Sequence, residues 1–250
     1  MATYAISDLH GRMDLFRQVK EFLQPEDVVY VLGDCGDRGP AGWELIKTVY
    51  EDPQFIYLMG NHEDMLVNAM YGDRQLCFYN GGKNTFRSWK YKDGGSMSWA
   101  TRLSELPKEA IYTNANGEKI ILCHSGYTPH DGLFLTKNDY IWSRDHFLDD
   151  WDEDIENTYM IHGHTPIVYM DKYMYNRSTQ LELGAFWYCK DKSGIERKCN
   201  IDCGAVFLGF TVLLDLDTFD EHIFMAEDCA FADEIDNQSF NRNFNSYFDI

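Results

Sequence analysis

Five short polar clusters in this chain are rich in aspartate, histidine and asparagine, the residue types that bind divalent metals. They are SDLHG (7–11), GDCGDRG (33–39), GNHE (60–63), HSG (124–126) and HGHT (162–165). In the first cluster, Asp8 and His10 share one side of an extended segment, because alternate residues of a strand face the same way. Mixed carboxylate, imidazole and amide ligands suit Mn²⁺, Fe²⁺ or Zn²⁺ better than Ca²⁺. The clusters predict a metal site if they meet in space.

Each cluster taken alone also fits a simpler explanation. Asp8 and His10 are equally typical of a polar turn after a strand, and a lone histidine such as His124 is more often a hydrogen-bonded core residue. HGHT is as typical of a turn as of a zinc-like fragment. Only the five clusters together favour metal binding.

Every cluster follows an apolar run rich in β-branched and aromatic residues, which is typical of a buried strand. The runs are TYAI (3–6), VVYVL (28–32), FIYLM (55–59), IILC (120–123) and TYMI (158–161). Apolar periodicity predicts helices at 13–23, 43–51, 63–71 and, with a break at Gly94 and Gly95, across 84–106. The alternation predicts an α/β protein whose ligands collect beyond the carboxyl ends of the strands. We therefore expect the clusters to meet at a sheet edge.

The second half of the chain is richer in strands. Segments 181–189, 198–209 and 211–218 are predicted strands, and 221–228 is expected to pair with the last of them. From about residue 229 the chain becomes acidic and rich in asparagine, which predicts an irregular end. The length of 250 residues is compatible with one domain spanning 1–250.

Composition narrows the class of partners. The formal net charge of −19 disfavours nucleic acid and anionic membranes, which are bound through Lys and Arg.

The seven cysteines form no CxxC pair, so we expect reduced thiols rather than a disulfide framework. The most apolar run, 205–214, is too short to span a bilayer, and the first residues lack the features of a secretory signal. We expect a soluble cytoplasmic protein.

The five motifs, in this order, closely resemble those of the PPP-type calcineurin-like metallophosphoesterases. The resemblance is strongest to the bacterial and phage-type serine/threonine protein phosphatases, which have relatives that hydrolyse diadenosine tetraphosphate. It extends from about residue 5 to 215 and includes FYNGGKNTF (78–86), IWSRD (141–145) and NIDCGAVF (200–207). It implies a metallophosphoesterase-type β-sandwich flanked by helices, in four αββα layers. Ser7 and Ser125 stand where the family usually has glycine, and neither change removes a ligand.

The resemblance also implies a binuclear site for two divalent ions, with manganese expected and iron or zinc as alternatives. The first ion would be held by Asp8, His10 and Asp34. Asp34 would bridge to the second ion, whose remaining ligands would be Asn61, His124 and His164.

Further roles follow from the same resemblance. Arg38 and Arg144 would grip the phosphate oxygens, with Asn61 and His62 also contacting the substrate. His62 would be the catalytic acid, and Asp37 would orient it. His162 is expected to be a core or supporting residue, and His146 is treated as an ordinary histidine without a motif.

The resemblance predicts a hydrolase acting on phosphoserine and phosphothreonine monoesters by direct attack of a hydroxide that bridges the metals. Its partner would be a phosphoprotein or a small phosphorylated molecule. Two alternatives stay open: a symmetrical dinucleoside polyphosphate hydrolase that uses the same metals on an anhydride, and a non-catalytic binding scaffold on the same fold.

Overall fold

A computed structural model describes residues 1–130, 133–152, 155, 157–170 and 183–229. Two five-stranded mixed sheets pack against each other. The first has the strand order β10-β9-β1-β2-β3, with bounds Thr3–Ile6 (β1), Val28–Val31 (β2), Phe55–Tyr57 (β3), Phe210–Asp215 (β9) and Glu221–Met225 (β10). Strands β1, β2 and β3 are parallel, and β9 joins β1 antiparallel.

The second sheet has the order β4-β5-β6-β8-β7. Its strands are Glu109–Thr113 (β4), Lys119–Cys123 (β5), Thr158–His162 (β6), Phe186–Lys190 (β7) and Glu196–Asn200 (β8). The central strands β5, β6 and β8 are parallel, while β4 and β7 pair antiparallel at the two edges. Each sheet therefore has a parallel centre whose strands end on the same side.

Seven helices of five or more residues lie in the described part of the chain. They are Met13–Phe22 (α1), Gly42–Glu51 (α2), Asn61–Met70 (α3), Gln75–Tyr79 (α4), Lys83–Lys92 (α5), Met97–Ser104 (α6) and Lys137–Ile141 (α7). Shorter helical turns occur at Asp145–Leu148, Ile167–Tyr169 and Ala205–Leu208. Helices α1, α2 and α3 connect or follow β1, β2 and β3, which gives the predicted strand–helix alternation.

Side-chain alternation along the strands separates the layers. In β1, Tyr4 and Ile6 belong to the core under the helices, whereas Ala5 belongs to the core between the sheets. In β5, Leu122 faces the space between the sheets and Ile121 faces a smaller outer cluster. The arrangement agrees with the predicted β-sandwich flanked by helices.

Two predicted strands differ from the structure. The predicted strand 198–209 ends at Asn200, and 205–208 form a helical turn after Gly204. The reason is local: the side chains of Asn200 and Asp202 accept the backbone N–H groups of Asp202 and Gly204, which replaces the strand ladder with a turn. The predicted strand 181–189 begins only at Phe186, and its first two residues lie outside the described residues. Strand β4 and helices α4 and α7 were not predicted.

The acidic tail predicted from about residue 229 lies outside the described residues, apart from Cys229 itself. In the part that the structure describes, every helix is too short or too polar to cross a lipid bilayer.

Candidate functional site

The site forms where the carboxyl ends of both parallel centres meet. Asp8, Asp34 and Asn61 follow β1, β2 and β3 of the first sheet, while His124 and His164 follow β5 and β6 of the second. The sequence argument placed the clusters at a sheet edge, and the structure shows that the edges of two sheets contribute. Gly163 lies at the junction: a Cβ there would sit 2.1 Å from Ser7 Oγ and 2.2 Å from Asp8 Oδ2.

The first predicted ligand group lies around His10. Its Nε2 is 3.9 Å from Asp8 Oδ1 and 3.7 Å from Asp34 Oδ2. All three side chains are buried. The structure therefore brings together the residues that were predicted to hold a first metal.

The second group is more compact. Asn61 Oδ1 lies 2.9 Å from His124 Nε2 and 3.0 Å from His164 Nδ1, and these two ring nitrogens are 3.1 Å apart. Asp34 Oδ1 is 3.4 Å from His124 Nε2. Because the other oxygen of Asp34 faces His10, this carboxylate lies between the two groups, as expected of a bridging ligand.

Hydrogen bonds behind the rings aim two imidazoles inward. His10 Nδ1 donates to the carbonyl oxygen of Gly36 at 2.8 Å, and His124 Nδ1 donates to that of Leu32 at 2.7 Å. A carbonyl oxygen can only accept, so each Nδ1 carries a proton and the neutral ring keeps its lone pair on Nε2, which faces the site. Metal-binding histidines are oriented by the same kind of backing hydrogen bond.

A buried carboxylate oxygen without a hydrogen-bond partner indicates that a cation fits the first group. Asp8 Oδ2 accepts from the Ser7 hydroxyl and from the N–H of His164 at 2.9 Å. Asp8 Oδ1 is buried and has no hydrogen-bond partner in the described structure. Such an oxygen is costly to bury, and a divalent cation would satisfy it. The donor set of two carboxylates, an amide and three imidazoles therefore fits divalent metals.

The electrostatics of the second group favour positive charge at His124. Burial lowers the pKa of His124, but Asp34 and Asp8 outweigh it and raise the value to about 9. Burial likewise acts to raise the pKa of Asp34, yet His124 and His62 hold it well below its usual range. Burial raises the pKa of Asp8. Protons and metal ions compete for these atoms, so metal affinity should depend on pH.

The ligand loops have an unusual backbone. Nine described residues other than glycine have positive φ, and six of them are predicted site residues: Asp8, His10, Asp34, Asp37, Arg38 and His164. Each such conformation costs on the order of 1–3 kcal/mol and persists only where its surroundings enforce it. The concentration of strained backbone in these loops is typical of a functional site.

Glu63 holds the loops that follow β2 and β3. Its carboxylate accepts the N–H groups of Asp34 (2.7 Å), Cys35 (3.0 Å) and Gly60 (3.0 Å), and the Tyr57 hydroxyl at 2.7 Å. The sequence analysis included Glu63 in the GNHE motif without assigning it a role. Its position three residues after Gly60 at a helix start, as in a capping box, was the available signal.

His62 and Asp37 form a pair beside the first group. His62 Nδ1 donates to Asp37 Oδ2 at 2.8 Å, and Nε2 lies 3.0 Å from Nη2 of Arg38. Nε2 is also 3.8 Å from Asp34 Oδ2, so proximity alone would allow His62 to join His10 and Asp34 around a cation. The backing carboxylate is compatible with either role.

Arg38 lies at the mouth of the first group. Its Nη1 contacts His10 Nε2, the same nitrogen that would bind a metal, so the two interactions exclude each other. The guanidinium also packs over the ring of Phe207 at 5.6 Å. Arg144 enters from the second sheet, where Nε donates to Thr165 Oγ1 at 3.0 Å and Nη2 to the carbonyl oxygen of His164 at 3.5 Å. Both predicted phosphate-binding arginines therefore border the ligand groups.

Two further histidines lie under the second group. His162 is buried outside the ligand set, where the prediction placed it. His146 was expected to be an ordinary histidine. Its ring is buried and bonds to the carbonyl oxygen of Ser125 at 2.8 Å, next to the predicted ligand His124. No motif around His146 indicated this position in the sequence.

Known proteins of similar sequence carry related names. Symmetrical bis(5'-nucleosyl)-tetraphosphatase of Legionella pneumophila (strain Corby) is 26% identical over 135 residues, which cover 52% of this chain and 46% of that protein. Serine/threonine-protein phosphatase 2 of Salmonella typhimurium is 26% identical over 152 residues, which cover 58% of this chain and 69% of that protein. The matched segment thus spans about half the length of the Legionella protein.

Fold and family comparisons agree. A solved metallophosphoesterase from Sphaerobacter thermophilus has a TM-score of 0.53 and 16% identity, covering 93% of this chain and 91% of its own. At that identity, the likeness shows a shared fold. The family model described as calcineurin-like phosphoesterase matches residues 1–189, which carry all six predicted ligands. The chain therefore belongs to the calcineurin-like phosphoesterase family of hydrolases.

Proposed function

We propose that this protein is a metal-dependent phosphatase that hydrolyses phosphoserine and phosphothreonine monoesters. The observation that carries the proposal is the meeting of six predicted ligands from two sheets, with His10 and His124 backed by carbonyl oxygens so that their lone pairs face inward. Asp8, His10 and Asp34 would hold one divalent ion, and Asp34, Asn61, His124 and His164 a second. Manganese is our first choice of metal.

Divalent cations, when bound there, supply Lewis-acid activation of a water nucleophile and offset the charge of the phosphate. The chain itself supplies the phosphate grip: Arg38 and Arg144 border the two ligand groups, and a guanidinium binds two phosphate oxygens in a fixed geometry. In an acidic protein with a net charge of −19, these arginines create a local site for an anion.

His62 would provide the proton for the leaving group. Its Nδ1 is bonded to Asp37, which leaves Nε2, beside Arg38, as the nitrogen that faces a bound phosphate. The P–O bond to the serine or threonine oxygen breaks as the water oxygen bonds to phosphorus. In its doubly protonated form, His62 would give the proton on Nε2 to the departing alkoxide, and the proton that the water releases would pass to solvent, from which His62 regains its own. General acid catalysis of this kind contributes about 10² to 10⁴ in rate.

The choice of phosphoprotein substrate has two supports. The match to the Salmonella phosphatase spans a larger share of that protein than the match to the Legionella tetraphosphatase does of its own. In addition, the most basic stretch, 83–92, forms α5, where Lys92 pairs with Glu44 of α2. Lys92 thus already pairs with a carboxylate, which disfavours its use in binding a polyphosphate.

A dinucleoside polyphosphate hydrolase is the second candidate, favoured by one observation. Phe207 packs against Arg38 yet is 45% exposed, so its ring offers a stacking surface next to the phosphate grip. Stacking of a base on an aromatic ring contributes about 1–3 kcal/mol.

A substrate panel tests the proposal. The full chain, loaded with Mn²⁺, would be assayed on a phosphoserine peptide, p-nitrophenyl phosphate and diadenosine tetraphosphate. We expect the highest kcat/KM on the phosphopeptide. A kcat/KM for the dinucleotide far above the others would replace our first choice by the second, and inactivity on all three with metal bound would favour a binding scaffold.

The variant His62→Asn tests the proton donor. We expect kcat to fall by about 10² to 10⁴, the usual contribution of a general acid, while the metal content measured by elemental analysis stays at the wild-type level. His222→Asn on β10 is the matched control and should keep wild-type kcat. An undiminished kcat in His62→Asn removes His62 from the proton transfer, and a loss of metal instead makes it a ligand.

A reducing compartment such as the cytoplasm belongs to the same proposal. It is supported by five buried cysteines that form no disulfide: Cys35, Cys77, Cys123, Cys199 and Cys203.

A further inference from the structure

A buried polar cluster lies beneath the second-sheet edge of the site, outside the predicted ligand set. We call His146, His162 and Tyr188 the bracing cluster. All three side chains are buried, and they come from three separate elements: the turn Asp145–Leu148, β6 and β7.

Carbonyl oxygens at its two ends fix the tautomers of both rings. His162 Nδ1 donates to the carbonyl oxygen of Gly163 at 3.0 Å, and His146 Nε2 donates to that of Ser125 at 2.8 Å. The Tyr188 hydroxyl lies between the rings, 2.8 Å from His162 Nε2 and 3.3 Å from His146 Nδ1.

Counting protons shows that the tyrosine is essential to this arrangement. Both rings are buried, and burial favours the neutral form of an imidazole. Each neutral ring uses its one N–H on a carbonyl and turns a lone pair toward Tyr188. The hydroxyl has a single proton, and the shorter distance assigns it to His162. Replacing Tyr188 by phenylalanine would leave His162 Nε2 without a donor and would remove the hydroxyl oxygen that packs between the two rings.

The bracing cluster joins the two turns that carry the predicted ligands of the second group. Ser125 follows His124, and Gly163 precedes His164. Regular pairing between β5 and β6 ends at Leu122 and Ile161, so the turns lie beyond the ladder. Beyond these residues, one backbone hydrogen bond in the described part of the chain joins the two turns: the N–H of Gly163 donates to the carbonyl oxygen of His124 at 2.8 Å.

The bracing cluster packs tightly against its neighbours. A Cβ on Gly126 would lie 2.8 Å from His162 Cγ and 2.9 Å from His146 Cε1, so the glycine lets both rings approach the turn. The buried Lys198 of β8 donates to the carbonyl oxygen of His146 at 2.7 Å. His146 also lies two residues after Arg144, which ties the phosphate-binding segment to the same cluster.

We propose that Tyr188 is a positioning residue that acts through His146 and His162 to set the separation of His124 and His164. It would thereby determine the affinity of the second ligand group for a divalent cation. The inference rests on the proposed metal site.

The test compares Mn²⁺ binding by the full-length wild type and the variant Tyr188→Phe, using isothermal titration calorimetry. Loss of a residue that orients metal ligands typically weakens metal binding by about 10- to 100-fold, and we expect a change of this size in the dissociation constant. Tyr159→Phe is the matched control: Tyr159 is on β6, and its hydroxyl contacts Glu118 at 3.4 Å, away from the site. Its dissociation constant should equal that of the wild type.

The outcomes separate this inference from the proposed function. If the wild type binds no Mn²⁺, the proposed metal site itself fails. If the wild type binds and Tyr188→Phe binds equally well, the positioning role is overturned, even where urea unfolding shows lower stability. Should Tyr188→Phe fail to fold, His146→Gln removes the other end of the brace, and wild-type affinity in that variant overturns the inference too.

Discussion

The two sheet edges that form the site are held by different means. On the first sheet, Asp34 and its neighbours lie in strained loops fixed by the carboxylate of Glu63, which accepts three backbone N–H groups. On the second, the turns that carry His124 and His164 pack over buried imidazoles, a tyrosine and a buried lysine. A charged acceptor for backbone donors therefore supports one half of the site, and side-chain hydrogen bonds support the other.

The largest effect is expected from Glu63→Ala, which removes the acceptor of the first edge. Three buried N–H groups and the Tyr57 hydroxyl would lose their partner, and we expect the free energy of unfolding to fall by about 3–5 kcal/mol. This loss of unfolding free energy is measured by urea unfolding of the metal-free protein.

Glu44→Ala is the control for Glu63→Ala, because Glu44 pairs with Lys92 on an exposed helix surface. Its effect should stay below about 1 kcal/mol. If the two variants lose similar stability, the first edge does not depend on Glu63 in the way we describe.

The same contrast explains what the sequence could predict. On the first edge both ends of each important contact lie in recognisable motifs: Asp34 and Cys35 in GDCGDRG, and Gly60 and Glu63 in GNHE. Strand endings and residue types were enough to predict that the five clusters meet, and the resemblance of their motifs to a known family named the six ligands within them. The structure places these residues together.

The supports of the second edge could not be predicted in this way. His146, Tyr188 and Lys198 lie far apart in sequence and in segments without a motif, and only the pairing of β6 with β8 and of β7 with β8 brings them under the site. The sequence spacing of a buried lysine on one strand and a tyrosine in an aromatic run does not indicate that both contact the same residue. The end of β8 was missed for a related reason, since side-chain acceptors at Asn200 and Asp202 override strand propensity.

The second prediction concerns pH and the buried lysine of the second edge. Burial lowers the pKa of Lys198 to about 8, although Cys189 and Asp149 oppose the shift. Between about pH 8 and 10.5 the folded protein has released a proton that the unfolded chain still holds. Stability from this group should therefore rise with pH across that window, by up to about 3 kcal/mol.

Urea unfolding of the wild type and Lys198→Met at several values from pH 7 to 10 measures this effect. Subtracting the two curves cancels the cysteine and tyrosine titrations that both proteins share, and the difference should favour the wild type increasingly as pH rises. If the difference in stability between the two proteins does not change with pH, burial beneath His146 does not lower the pKa of Lys198.

The smallest effect is expected where the two halves touch at the surface. Lys137 of α7, on the second-sheet side, donates to both carboxylate oxygens of Asp64 on α3 at 2.9 Å. Helix α3 begins with the site residues Asn61 and His62, but the lysine is half exposed, and exposed ion pairs contribute only about 0.2–1 kcal/mol. A double-mutant cycle of Lys137→Ala and Asp64→Asn should give a coupling energy in that range. In 1 M salt the screening length falls to about 3 Å, so the coupling should nearly vanish there. A larger, salt-resistant coupling would show that the two edges are joined across the surface as well as through the buried ligands, and the contrast between separately supported halves would then fail.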